Sequence, residues 1–271
     1  MMKSPRGSIP GIPLDGNNMW LMQYRDLIWN LTITDLKVKY QSSVLGFAWS
    51  LLNPLLMMLV LYFVFANVFR FNQEHFALYI LVGIIAWRFL ANGTSTAMLS
   101  IVAKPSLVTK IYIPRHILVL SSTLSTFISS ILEFCVLIPL LFVFGANITP
   151  YILFFPIAHA IFFFIVYGLS LVLASLYVYY RDLNQIWEVV IQLGFFLAPI
   201  CYPITIVPPQ FLPYYVLNPV TILIETYRNF LIYGFPPGLR SMVYLVISAT
   251  LLMIMGKFVF NRLERRFAEV I

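Results

Sequence analysis

An all-α integral membrane protein with six transmembrane helices is the fold class this sequence predicts, and three observations predict it. Of 271 residues, 61% are hydrophobic and 10% are charged, with a mean hydropathy of +0.90. A soluble domain carries about a quarter charged residues, so the bilayer is the solvent that fits this chain. Second, the apolar residues gather in six blocks, roughly 46–69, 77–99, 116–143, 152–178, 185–205 and 240–260. Each approaches or exceeds the ~20 residues that cross ~30 Å of hydrocarbon. Third, the basic residues segregate. With the N-terminus inside, thirteen fall on the inner side: Lys3, Arg6, Arg25, Lys37, Lys39, Lys104, Lys110, Arg115, Arg181, Lys257, Arg262, Arg265 and Arg266. Arg70, Arg228 and Arg240 fall outside. This bias predicts cytoplasmic termini. The net charge of +7 lies between apolar blocks, which suits anionic headgroups and not nucleic acid.

Residues 1–19 hold no apolar core and are expected to be a flexible cytoplasmic tail, not a cleaved signal peptide. Residues 20–42 read as an amphipathic helix. Trp20, Tyr24, Leu27, Ile28 and Leu31 make one stripe, and Asp26, Asn30, Thr34 and Lys37 another. Such a helix lies in the membrane interface or packs on the protein's own cytoplasmic face. The transmembrane domain is expected over 43–271. Its first span contains Asn53 and Pro54, a hydrogen-bonding amide beside a helix-breaker. Proline frees a backbone bond that neighbouring helices or water must satisfy, so this pair is placed on a protein-facing or channel-facing side. The turn into the bilayer is read at 42–46.

The second span carries Arg88 and the third Glu133. Both lie about ten residues from the outer end of antiparallel spans, so their depths match. A lone charge there costs at least ~2.5 kcal/mol. The two are expected to approach each other or line one polar interior; alternatively Arg88 meets an anionic substrate group. The third span also holds "SSTLSTFISS", Ser121 to Ser130, a stripe suited to close helix–helix contact. Pro139 and Pro156 are expected to kink the third and fourth spans. The inner loop "AKPSLVTKIYIPRHI" has three basic residues and no acidic one. It reads either as positive-inside bias or as a short helix offered to a soluble partner. The outer segment 206–239 is apolar and studded with prolines, and reads as a re-entrant or interfacial helical hairpin that plugs or rims a pore, or as a structural cap. Aromatics in the first and fifth spans, notably Tyr62, Phe63, Phe195, Phe196 and Tyr202, are candidate liners of a sugar path.

Catalytic signatures are missing. There is no GxxxxGK[ST], HExxH, GxSxG or CxxC pattern. Cys135 and Cys201 sit in apolar runs and read as packing residues, and His75, His116 and His159 stand far apart. No catalytic or metal-ligating residue is expected.

Four stretches resemble the membrane subunit of ABC-2 type polysaccharide exporters, the family of O-antigen, capsule and teichoic acid permeases. They are "DLKVKYQSSVLGFAWSLLNPLL", "VAKPSLVTKIYIPRHIL", "YRDLNQIWEVVIQLGFFLAPICYPI" and "LNPVTILIETYRNFLIYG". The resemblance covers nearly all of the chain after the first ~20 residues. It implies a homodimer in the cytoplasmic (inner) membrane, each copy docking an ATP-binding cassette ATPase subunit. ATP and Mg would then sit on that partner, with no cofactor on this chain. Lys104, Pro105, Lys110, Pro114 and Arg115 would belong to the coupling helix. The first and fifth spans would line the channel at the dimer interface, adding Asn53 to its candidate liners. Segment 206–233, with Asn218, Pro219, Glu225, Tyr227 and Arg228, would form outer gate helices. The substrate would be a lipid-linked polysaccharide. An ABC-2 exporter of a drug or small lipid is the alternative. A secondary transporter would want more intramembrane carboxylates and inverted repeats; Glu133 is nearly alone in the membrane core, with Glu188 near the inner end of the fifth span, and no repeat is evident.

Overall fold

A computed structural model describes residues 19–41, 46, 48–70, 73–110 and 113–267. The expected tail falls outside these residues except at Met19. Of the expected turn at 42–46, only Gly46 is described, with φ of 48°. The described residues form ten α-helices and four short 3-10 or π segments, with no strand among them.

Helix α1, Met19–Tyr40, packs on the inner half of α5, His116–Val143. Tyr24, Leu27, Ile28 and Leu31 are half-buried on one face, and Thr32 beside them is fully buried. Thr32 donates its hydroxyl proton toward Ile28 O (2.7 Å) and Ser121 O (3.3 Å). The apolar stripe therefore faces the protein's own helices; of Trp20 only the backbone is described.

Helix α2, Ala48–Tyr62, runs on for two turns past Pro54 and passes into a π-helical turn, Phe63–Val68. Helix α3, Phe76–Leu99, is the centre of the bundle. It packs against α2, α5, α6 (Phe155–Tyr179), α7 (Leu183–Leu197) and α9 (Pro219–Leu231). Its apolar window is 83% buried, against 11% for α2 and 22% for α10, Leu239–Leu263. Such an all-round apolar helix is a core helix, whereas α2 and α10 present apolar sides outward.

Among the described residues, five helical stretches are long and apolar enough to cross a membrane: Ala48–Val68, Phe76–Leu99, His116–Val143, Pro150–Tyr179 and Leu239–Leu263. The expected span at 185–205 is instead the 15-residue α7, about 22 Å long. The reason is local. Ala198 precedes Pro199 and is extended (φ −80°, ψ 147°), because the proline ring disfavours helical backbone in the residue before it. Pro156 does not kink the fourth span. It sits in the first turn of α6, after a 3-10 turn at Pro150–Phe154, where its missing N–H leaves nothing unpaired. Pro139 lies inside an unbroken α5.

The outer segment contains α8, Leu212–Leu217, and α9. Asn218 caps α9 by accepting from the Val220 N–H, and Pro219 fills the first helical position. Leu223, Ile224, Tyr227 and Phe230 are buried, while Tyr214 and Leu217 of α8 are exposed. The two helices thus differ: α9 is part of the core and α8 lies on its surface.

Helices α6 and α10 meet backbone to backbone. A Cβ on Gly168 would lie 2.7 Å from the Leu252 carbonyl carbon, and one on Gly256 would strike the Gly168 carbonyl oxygen. Small residues permit such approach where no hydrophobic force drives span association. Gly256→Leu should therefore force the pair apart and destabilise the protein by about 1–3 kcal/mol, with a lowered Tm in detergent. Leu251→Ala, on the exposed side of α10, should leave Tm nearly unchanged.

Candidate functional site

Polar groups in an apolar chain mark where structure and function are concentrated, because each must find a partner. The first cluster joins α3, α5 and α2. Arg88 Nη2 lies 3.5 Å from Glu133 Oε1, and Arg88 Nη1 donates to Asn53 Oδ1 at 2.6 Å. Glu133 is 4% exposed. Asn53, on the exposed side of α2, thus turns its amide toward the bundle, and Pro54 next to it is buried. Ser129, Ser130, Asn92 and Lys39 complete a polar pocket beside the pair, with about 10 Å³ of free space, room for one water. Arg88 Nε and Ser130 Oγ border it and have no partner among the described residues. The other α5 hydroxyls mostly satisfy themselves: Ser121, Thr123, Ser125 and Ser129 donate to carbonyls three or four residues back. The stripe is therefore a small-residue packing surface more than a set of cross-helix bonds.

Arg228 corrects the sequence reading most sharply. Counted above as a basic residue of an outer loop, it is completely buried. All five of its N–H groups are used. Nε and Nη2 donate to Tyr79 O at 3.2 and 3.1 Å. Nη1 donates to Pro199 O and Glu225 Oε1, each at 2.7 Å, and Nη2 also donates to Ile200 O at 3.0 Å. The guanidinium carbon stands 3.3 Å from the Tyr79 ring centroid. A side chain at Gly83 would crowd it, since a Cβ there would lie 3.0 Å from Nη2. Tyr79 Oη donates toward Glu225 Oε1 and Tyr202 O. The guanidinium therefore ties α9 to α3 and to the carbonyls that α7 frees by ending at Ala198.

The inner loop is also better balanced than its own sequence shows. Lys104 Nζ bridges both oxygens of Asp35 on α1, at 2.7 and 3.0 Å. Arg115 donates from its main-chain N–H to Glu264 Oε1 and from Nη1 to Glu264 O. Between them lies the six-residue α4, Pro105–Lys110. Pro105 is exposed and Pro114 half-buried; the side chain of Lys110 lies outside the described residues.

The aromatic candidates divide. Phe63 and Phe196 are exposed, as is Tyr62. Phe195 turns inward, edge-on to Trp87 of α3, where Gly194 lets the indole approach the α7 backbone. Tyr202 donates to the terminal carbonyls of α7 at Phe196 and Leu197 and bonds to Tyr215 Oη. Of the gate candidates, Tyr227 is buried and bonds through its hydroxyl to His159 Nδ1 at 2.9 Å.

Sequence reasoning missed a stripe on α7. Gln185, Glu188 and Gln192 recur at intervals of three and four, share an exposed face, and make no side-chain bond among the described residues. Gln192 lies about 14 Å into the helix. The spacing of three polar residues in an apolar block was a readable signal that their far side needs water or a polar partner.

Residues 26–232 match the family model described as ABC-2 type transporter. The O-antigen export system permease protein RfbA of Klebsiella pneumoniae is 31% identical over 256 residues, which is 91% of this chain and 95% of that protein. A second Klebsiella pneumoniae protein of that name is 29% identical over 252 residues, 91% of this chain and 95% of its own length. The namesake from Myxococcus xanthus is 28% identical over 253 residues, 93% and 97% of the two chains.

Two stability outcomes follow from the charge clusters. Arg88→Met strands Glu133 and should cost about 3–5 kcal/mol, whereas Arg88→Met with Glu133→Leu should recover most of the loss in a double-mutant thermal series. Arg228→Lys supplies three donors from a point charge and leaves main-chain acceptors unmet; it should lower Tm measurably even though charge is kept.

Proposed function

The chain belongs to the ABC-2 type transporter family, and on that premise we propose that it is the permease subunit of an ATP-driven exporter of a lipid-linked polysaccharide of the O-antigen, capsule or teichoic acid type. The observation that carries this reading is likeness to O-antigen export permeases over more than nine-tenths of both chains. Two copies form the channel in the cytoplasmic membrane, and each docks an ATP-binding cassette subunit that holds ATP and Mg. The termini are cytoplasmic. Helix α7 with the turns that follow it to residue 205 makes the fifth of six crossings, and α8 and α9 form the re-entrant outer gate.

The path runs along the exposed faces of α2 and α7. Its support is the α7 stripe, since Gln185, Glu188 and Gln192 on an exposed face of an apolar helix suit a hydrated, hydroxyl-rich chain and not lipid. Phe63, Phe196 and Tyr62 offer ring faces to the C–H faces of sugars along the same route. The permease's own work is mechanical. ATP binding closes the partner subunits, and they press on α4. Lys104 passes the displacement to α1 through Asp35, and Arg115 passes it to the end of α10 through Glu264. The seam between copies then opens as rigid bodies move.

The test is export into vesicles containing this chain, its ATPase and a lipid-linked glycan. Export should require ATP; ATP-independent export in a competent preparation refutes the mechanism. Lys110→Glu should weaken co-purification of the ATPase and its stimulation, and wild-type values for both would remove α4 from the docking surface.

A further inference from the structure

We propose that the crevice between α5 and α6 binds one bilayer phospholipid, its acyl chain filling the crevice and its ester carbonyl meeting His159. The crevice encloses about 540 Å³, within the ~300–1,000 Å³ of ligand pockets. Phe127, Phe134, Ile138, Leu153 and Phe155 are among its walls, and no aspartate, glutamate, lysine or arginine lines it. Its walls come from two stretches that are each long and apolar enough to cross a membrane, closed at one side by Leu231 of α9. An uncharged hydrocarbon chain is the complement of such walls.

The second observation is His159, which borders the crevice and is 1% exposed. Its Nδ1 is taken by Tyr227 Oη, and its Nε2 has no partner among the described residues. Tyr227 Oη has no other partner among them either. Donation from the tyrosine to Nδ1 leaves the imidazole proton on Nε2, which then needs an acceptor. A buried donor left unpaired is costly. His159 is nine residues inside the Pro150 end of the spanning stretch Pro150–Tyr179, and four inside the start of α6. A lipid drawn into the crevice past Ile152 and Leu153 brings its ester carbonyl to it. The site rests on the membrane setting and not on the export reading.

The test is native mass spectrometry of the protein extracted with its membrane lipids and exchanged into detergent. Wild-type chain should retain one phospholipid. Ile138→Trp with Leu153→Trp builds into the crevice from its exposed walls, and should weaken retention about tenfold, as expected for displacing roughly two methylene groups. Leu251→Trp, the same change on the outer side of α10, should leave retention unchanged. His159→Phe keeps the ring stacking on Phe127 and Phe155 and should also weaken retention. Retention that is equal in the filled and wild-type chains, absent from wild type, or made up of an isoprenoid mass overturns the proposal.

Discussion

Arg228 holds α9, α3 and the chain beyond α7 together. Where α7 stops, the carbonyls of Pro199 and Ile200 have no helical partner and meet the buried Arg228 inside the protein, away from water. A broken helix in that place is stable only if some other group supplies donors. The guanidinium does so from a neighbouring helix and with its full complement of five. It also reaches the Tyr79 carbonyl on the central helix, and Glu225 one turn earlier on α9 offsets its charge. Three elements far apart in sequence thus share one planar group. Gly83 is the concession α3 makes to it.

The same logic runs through the rest of the bundle. The charges that the bundle buries or half-buries have a partner within reach, and most partners come from other helices. Glu133 has Arg88, Arg88 has Asn53, Lys104 has Asp35, and Arg115 has the end of α10. These pairs link α1, α2, α3, α5 and α10 around the buried α3. Apolar packing sets the shape of the bundle, and the polar pairs set which helix faces which. Two surfaces stand apart from this economy: the polar stripe of α7 and the outward side of α2. They are where a second body, polymer or protein, has room to act.

Much of this was legible in the sequence. Block lengths gave five spanning stretches within a few residues, and matched depth alone brought Arg88 to Glu133. The hydroxyl stripe of α5 pointed to close packing, although its hydroxyls turned back on their own helix. What the sequence concealed was tertiary. Nothing in "ETYRNF" distinguishes a loop arginine from a buried one; its main-chain acceptors lie 28, 29 and 149 residues away. The loop around Lys104 looked unbalanced because Asp35 and Glu264 come from either end of the chain. The early end of α7 was visible in "FFLAPIC", since Ala198 precedes a proline, but hydropathy carried the block past it. The proposed docking and gating roles involve other chains, and a single chain's pattern does not encode them.

The glycine contact between α6 and α10 has a mechanical consequence. Side chains are the compliant part of a helix pair, because rotamers yield before backbone does. Where Gly168 and Gly256 remove them, the two rods bear directly on each other, and the pair is stiff in compression. Glu264, just beyond α10, grips Arg115 at the foot of α5. A load entering at that grip meets a strut, so the bundle's freedom to deform is pushed to the lightly packed flank formed by α2 and α7.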